Sequence, residues 1–476
     1  MHDQGYATPV HCVDLSGHTQ HFLVGLPCIP EVYRCESAVP ETHSMTQIYP
    51  LTDEALLDQL QRAAFGYFLQ TVNPDNGLVA DTSRDNSSVS IAVVGFALSA
   101  YPVAVERGWM ARVDAVRLSL AALRFFRGSD QSGSPTATGY QGFYYHFLDR
   151  DSGARVRRTE LSMVDTALLI AGALTAGMYF TADTTDEIEL RELVDFLYLR
   201  IDWRWAQDDA ETIRMGWKPE CGFLQYSWDG YSEAIVLYVL ALGSPTHPLD
   251  GGGRCYHAWT ATYQWENLYG YDFLYAGPLF VHQFSHAWID FRGIQDRFMR
   301  EKRCDYFENS RRATLIQREY AKRNPHQFTG YDADCWGLSA CDGASDDMPG
   351  ISGERRRLFG YAARGVPYGP DDGTLAGWAA LASLPFAPEI ALCAVRTMLQ
   401  RYPEMLSEGR LSSSFNPTLA DANGRAWVPA GHFGLDQGIV VAMIENHRSQ
   451  LIWRLMRDCP YVGTGLRRAG FRGGWL

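Results

Sequence analysis

The stretch SMVDTALLIAGALTAGMYF, Ser162 to Phe180, decides the fold. Beyond Ser162, Asp165 and Thr166 it is apolar on several faces. A helix apolar on all sides is buried among other helices. Ser162 is placed to cap its start, with Asp165 three residues later closing the capping box. The segment 230–242 reads the same way. By contrast, 111–127, 187–202 and 308–323 carry charge along one side, as outer helices do. Apolar helices inside and amphipathic ones outside predict an all-α chain built as an (α/α)6 toroid.

The pattern continues on both sides. Leu56, Leu57, Leu60, Ala63, Ala64, Tyr67 and Phe68 recur at spacings of three and four, ending at Asn73-Pro74-Asp75-Asn76-Gly77, a strong stop. Further helices are expected near 90–106, 273–289, 375–383, 388–402 and 437–457. Strand signals are few. Gly142 to Leu148 reads as one arm of a hairpin returning through Val156, and 331–342 and 411–433 read as long loops with short strands. Loops at one end of the inner helices of such a toroid form a broad cleft.

A chain of 476 residues has room for about three domains. It carries no repeat and no low-complexity linker, so one domain over 45–476 is expected, preceded by an irregular leader at 1–44. With 46% hydrophobic and 20% charged residues the composition is globular. The net charge of −13 repels phosphate backbones and argues against a nucleic-acid partner. No apolar run reaches the about 18 residues of a membrane span. Residues 1–44 lack the basic-then-apolar pattern of a secretory signal, so a cytoplasmic location is expected; a start at Met45 leaves the periplasm open. The ten cysteines form no C-x-x-C pair and suit buried free thiols in a reducing compartment.

Carboxylates cluster where loops enter helices. Glu160 precedes the Ser162 cap. Trp228-Asp229-Gly230-Tyr231-Ser232-Glu233 opens the second apolar segment, with Asp229 as a candidate N-cap and Glu233 in the first turn. Rings around Glu233 would raise its pKa, as a general acid requires, while the helix N-terminus would push it the other way. His282 and His286 have the i, i+4 spacing of a metal pair, but Gln283 breaks the HExxH signature. With Gln283 and Asp290 they read better as a hydrogen-bonding stripe, His286 pairing with Asp290. Asp436 is placed to cap the helix that carries Glu445 and Asn446, a polar pair in need of a partner. The loop Tyr331 to Gly343, with Trp336, suits a sugar or a connector, and Asp371-Asp372 opens another. Asp346-Asp347 is followed by Met348-Pro349-Gly350, which breaks a DDxxD site. No cofactor or metal is expected. Hydrolysis of a glycosidic bond needs two carboxyls, one protonated and one ionised.

The runs LSMVDTALLIAGA (161–173), MGWKP (215–219), WDGYSE (228–233), LGSPTHP (242–248), HQFSHAWIDFRG (282–293), DYFENSRRA (305–313), WGLSACDG (336–343), SLPFAPEI (383–390) and LDQG (435–438) resemble the bacterial glucoamylase-like domain. That group includes glycoside hydrolase family 144, the endo-β-1,2-glucanases. The resemblance implies an (α/α)6 barrel acting on β-1,2-glucan, with Glu233 as the proton donor. It implies that Glu160, Asp165 and Asp436 share the cleft, one of them acting on water or on an attacking hydroxyl. Trp228, Asp229, Tyr231, His286, Asp290, Trp336 and Glu445 are the expected substrate contacts, and an oligo- or polysaccharide the expected partner. Other readings stay open: a transglycosylase, a hydrolase of another β-glucan, a polysaccharide lyase with Tyr231 or His286 as base, or a binding protein without turnover. The sequence leaves the oligomeric state open.

Overall fold

The computed structural model describes residues 51–249, 253–345 and 357–476. The leader 1–44, the Met45 start, Cys12, Cys28, Cys35 and Asp346-Asp347 lie outside the described residues. Leu57–Leu476 makes one compact unit, and the residues before it belong to a separate one.

Helices dominate. The helix Met163–Tyr179 is buried from Met163 to Ala176, and its Ser162 cap accepts the Asp165 N–H at 3.2 Å. Against it packs Ile91–Glu106, buried from Ile91 to Ala104. The two touch through backbone: a Cβ added at Gly172 would lie 1.9 Å from the Gly95 carbonyl oxygen. Only glycine permits that approach, which draws the helix axes together and seals the core between them. Gly434–Arg448 packs on the second of this pair and Ile235–Gly243 on the first. Amphipathic helices flank them: Arg112–Gly128, Thr185–Leu199 and Tyr306–Arg323 bury one face each.

Short strands fix where the buried helices begin. Phe143–Tyr145 pairs with Leu161–Ser162, and Phe147–Leu148 pairs with Val89–Ser90. His146, between the two pairings, donates its N–H to the Glu160 carbonyl at 2.9 Å and accepts the Ile91 N–H at 3.3 Å. Two helices therefore start beside one residue. A third joins them where the Gly434 N–H donates to the Asp81 carbonyl at 2.8 Å. The expected hairpin is there, with Val156 N–H bonded to the Phe147 carbonyl. It belongs to a larger arrangement: a five-stranded sheet runs on through Gly216–Lys218 to Gly222–Phe223.

Three expected helices are corrected. The segment 273–289 is the end of the strand Tyr271–Leu274 followed by two 3-10 turns, Leu279–His282 and Phe284–Ala287. The segment 230–242 becomes helical only at Ile235. The segment 437–457 breaks at Gln450, whose φ is 61°, because Ser449 turns back to Glu445 and caps Leu451 instead. The cysteines are also corrected in part. Among the described residues Cys255, Cys304, Cys335, Cys341 and Cys459 are buried free thiols, but Cys221 and Cys393 are exposed.

Candidate active site

The starts of the buried helices bring a set of acidic side chains to one place, and His146 stands among them. Its Nδ1 lies 3.0 Å from Glu160 Oε1 and its Nε2 3.5 Å from Asp165 Oδ2. The ring stacks on Phe147 at 4.0 Å between centroids. Glu160 has room because Gly216 on the adjacent strand carries no side chain: a Cβ there would come 2.9 Å from Glu160 Cγ. Ser162 Oγ donates to Asp165 Oδ2 at 2.5 Å, so the helix cap also orients the second carboxylate. Side-chain exposures of 20% for His146, 16% for Glu160 and 12% for Asp165 leave the cluster open to a ligand yet shielded enough for strong electrostatics.

The charges sort themselves within this cluster. Burial alone would push the His146 imidazole down, but Asp165, Glu160 and Asp81 outweigh it and hold it up at about 9. Burial would likewise raise Glu160, yet the hydrogen bond and charge of His146 keep it below the usual glutamate range. Burial, the charge of Asp165 adding to it, raises Asp81 to about 6. Burial lifts Asp436 well above the ordinary aspartate value, with Asp81 and Asp342 adding to it against a Ser413 hydrogen bond. Asp436 is 6% exposed, and its Oδ2 has no hydrogen-bond partner among the described residues.

Glu233 reaches the same region from the turn before Ile235–Gly243. Ser285 fixes its peptide, donating Oγ to the Glu233 carbonyl at 2.6 Å while accepting the Val236 N–H at 3.1 Å. Glu233 itself is half-buried. Burial, then the charge of Asp165, raises its pKa to about 7. Such a carboxyl keeps its proton near neutrality, and a general acid needs that.

Not every expected site residue stands here. Glu233 lies ahead of its helix and not in the first turn, whose cap position is Ala234. Asp229 caps nothing and is exposed, accepting Thr212 Oγ1 at 2.8 Å. Trp228 beside it is half-buried. Asp436 is buried in the first turn of its helix, and Phe433 holds the cap position. His286 does not meet Asp290: its Nε2 bonds Ser310 Oγ at 3.0 Å, inside a cage of Phe291, Phe307 and Phe386. Tyr231 is buried, its hydroxyl 3.3 Å from His282 Nδ1. Both bases of the lyase reading are thus committed to the interior. Asp290 is held by Arg292 at 2.8 Å and by Arg457. Glu445 takes Arg107 at 2.8 and 2.9 Å and Gln61 at 3.0 Å. Trp336 is fully buried. Asp290, Glu445 and Trp336 therefore hold the fold and are corrected as substrate contacts.

Two residues of the cluster, His146 and Asp81, escaped the sequence reading, while Asp342 lies in the loop Tyr331 to Gly343 that was read as suiting a sugar. Asp342 pairs with Arg84, whose Nε donates to the Ala430 carbonyl at 2.8 Å. That ties three loops around Asp436. The lone polar residue in the run Phe143-Tyr144-Tyr145-His146-Phe147 was a readable signal for His146.

With this geometry in view, comparison with known proteins is informative. The family described as "Putative glucoamylase" matches residues 225–460. A solved structure from Bacteroides uniformis under that description is 30% identical, covering 90% of this chain and 99% of its own, with a TM-score of 0.79. The chain belongs to the glucoamylase-like family. The chain is also similar to an endo-β-1,2-glucanase from Chitinophaga pinensis, solved with sophorotriose and glucose. It is 25% identical over 90% of this chain and all of its own, with a TM-score of 0.75. An exo β-1,2-glucooligosaccharide sophorohydrolase from Parabacteroides distasonis is 27% identical over 91% of this chain. The chain spans 60% of that relative's length.

Proposed function

We propose that this glucoamylase-like chain is a glycoside hydrolase that cleaves β-1,2-glucan internally, on an (α/α)6 toroid. The observation that carries the reading is a set of carboxyls whose surroundings push them apart, burial raising Glu233 to about 7 while His146 holds Glu160 below the usual glutamate range. Buried helices whose N-terminal ends meet at one cleft, with charged helices outside them, support the toroid. Two β-1,2-glucan-cleaving relatives support the substrate. The endo-β-1,2-glucanase among the relatives supports internal cleavage.

In this reading Glu233 gives its proton to the departing glycosidic oxygen. Asp436 takes a proton from the attacking water through its uncommitted Oδ2. The anions Glu160 and Asp165 stabilise the oxocarbenium-like positive charge that develops on the sugar ring. The test is the size distribution of early products from long-chain β-1,2-glucan. A ladder of intermediate lengths is expected. A single disaccharide from the outset would overturn internal cleavage, and no products at all would overturn the hydrolase reading.

A further inference from the structure

We propose that His146 is the positioning residue of this cluster: its ring bridges Glu160 and Asp165 and holds both carboxylates fixed near Glu233. The inference rests on the hydrolase reading for its consequence, but its core is a statement about charge that needs no substrate.

The geometry is built for the role. Two carboxylates on separate elements, the strand start at Glu160 and the helix start at Asp165, receive the two nitrogens of one ring. The ring stacks on Phe147, and the main-chain bonds to Glu160 and Ile91 fix the backbone that carries it. Two carboxylates sharing a site cannot both ionise cheaply unless a cation lies between them. A neutral imidazole would satisfy one carboxylate as donor and present a lone pair to the other, so the double contact itself favours the charged form. The charged groups acting on this set are few. Asp81 faces His146 from the loop ahead of Ile91–Glu106, with Arg84 and Arg157 acting on Asp81. Lys218 acts on Glu160 from the neighbouring strand. Glu233 lies beyond Asp165 and feels its charge. Keeping Asp165 in place thus helps Glu233 keep its proton. His146 acts on the reaction only through these neighbours.

The first test uses the full chain with carbon-13 histidine, followed by NMR as pH is raised. One imidazole is expected to stay protonated up to about 9, to vanish from the spectrum in His146→Gln, and to titrate at lower pH in Glu160→Gln. If no imidazole titrates above the ordinary value of 6.5, the proposal is overturned, whether or not His146→Gln folds. The second test is the pH profile on β-1,2-glucan. In His146→Gln the imidazole no longer holds Glu160 below the usual glutamate range, so the acid limb moves up by about one pH unit. kcat falls about tenfold or more while KM shifts less. A folded His146→Gln enzyme with an unmoved acid limb also overturns the proposal. Absence of turnover in the wild type would sink the hydrolase reading and leave the NMR test standing.

Discussion

Glu233→Gln is expected to fold like the wild type and to lose about 10²- to 10⁴-fold in kcat on β-1,2-glucan. The fold is safe because the substitution is isosteric, the side chain meets solvent, and the bonds that fix this turn run through the Glu233 backbone to Ser285. Activity is lost because an amide still hydrogen-bonds the glycosidic oxygen but has no proton to give. Two further readouts separate this from general damage. An aryl leaving group needs no proton, so a nitrophenyl β-1,2-linked glucoside should recover part of the lost rate in the variant. In the wild type, kcat/KM should fall as pH rises through about 7, where burial and Asp165 place the Glu233 carboxyl, and that limb should vanish in the variant. Normal turnover by a folded Glu233→Gln enzyme would remove Glu233 as the acid.

The largest stability effect is expected far from the proton transfer, at Arg364. Both it and Asp372 have fully buried side chains. Arg364 Nε and Nη2 donate to the two Asp372 carboxylate oxygens at 2.8 and 2.7 Å. The remaining donors reach the Cys341 and Gly360 carbonyls, each at 2.9 Å. Arg364→Met strands Asp372 in the interior, which costs about 3–5 kcal/mol. The double variant Arg364→Met, Asp372→Leu should regain much of that loss, since it leaves no unpaired charge. Burial would raise Asp372, but Arg364 outweighs it and depresses the folded value. The stabilisation is therefore complete above the unfolded value of 3.8 and is lost as pH falls through the lower folded one. Because Arg364 anchors Cys341, the neighbouring Asp342 should loosen with it, and activity should fall before global unfolding. Denaturant midpoints of the single and double variants check this; an unshifted midpoint for Arg364→Met contradicts it.

What the sequence disclosed follows from the range of the interactions involved. The Ser162–Asp165 cap was legible because its partners are three residues apart and its geometry is local. The buried helices Met163–Tyr179 and Ile235–Gly243 were legible because nothing but a core accommodates such stretches. The 273–289 segment misled because its polar residues are satisfied by distant partners. Gln283 reaches Ala379 and Ser383, and His286 reaches Ser310, so the backbone settles into 3-10 turns that serve those contacts. The same blindness applied at the cleft. Glu445 looked like a ligand contact because Arg107, 338 residues away in sequence, could not be seen pairing with it. Asp81 carries no local mark at all. It enters the cluster because the start of Gly434–Arg448 docks on its carbonyl. Glu233 was found by its aromatic setting, although its place ahead of the helix was not. His146 was missed because its meaning lies in two carboxylates that only the folded sheet brings to it.

The release of new reducing ends from linear β-1,2-glucan, with β-1,3-, β-1,4- and α-1,4-glucans alongside, tests the central claim most directly. The account predicts release from the β-1,2 polymer alone, abolished in Glu233→Gln. Release from another linkage in preference, or equal release by that variant, would contradict it.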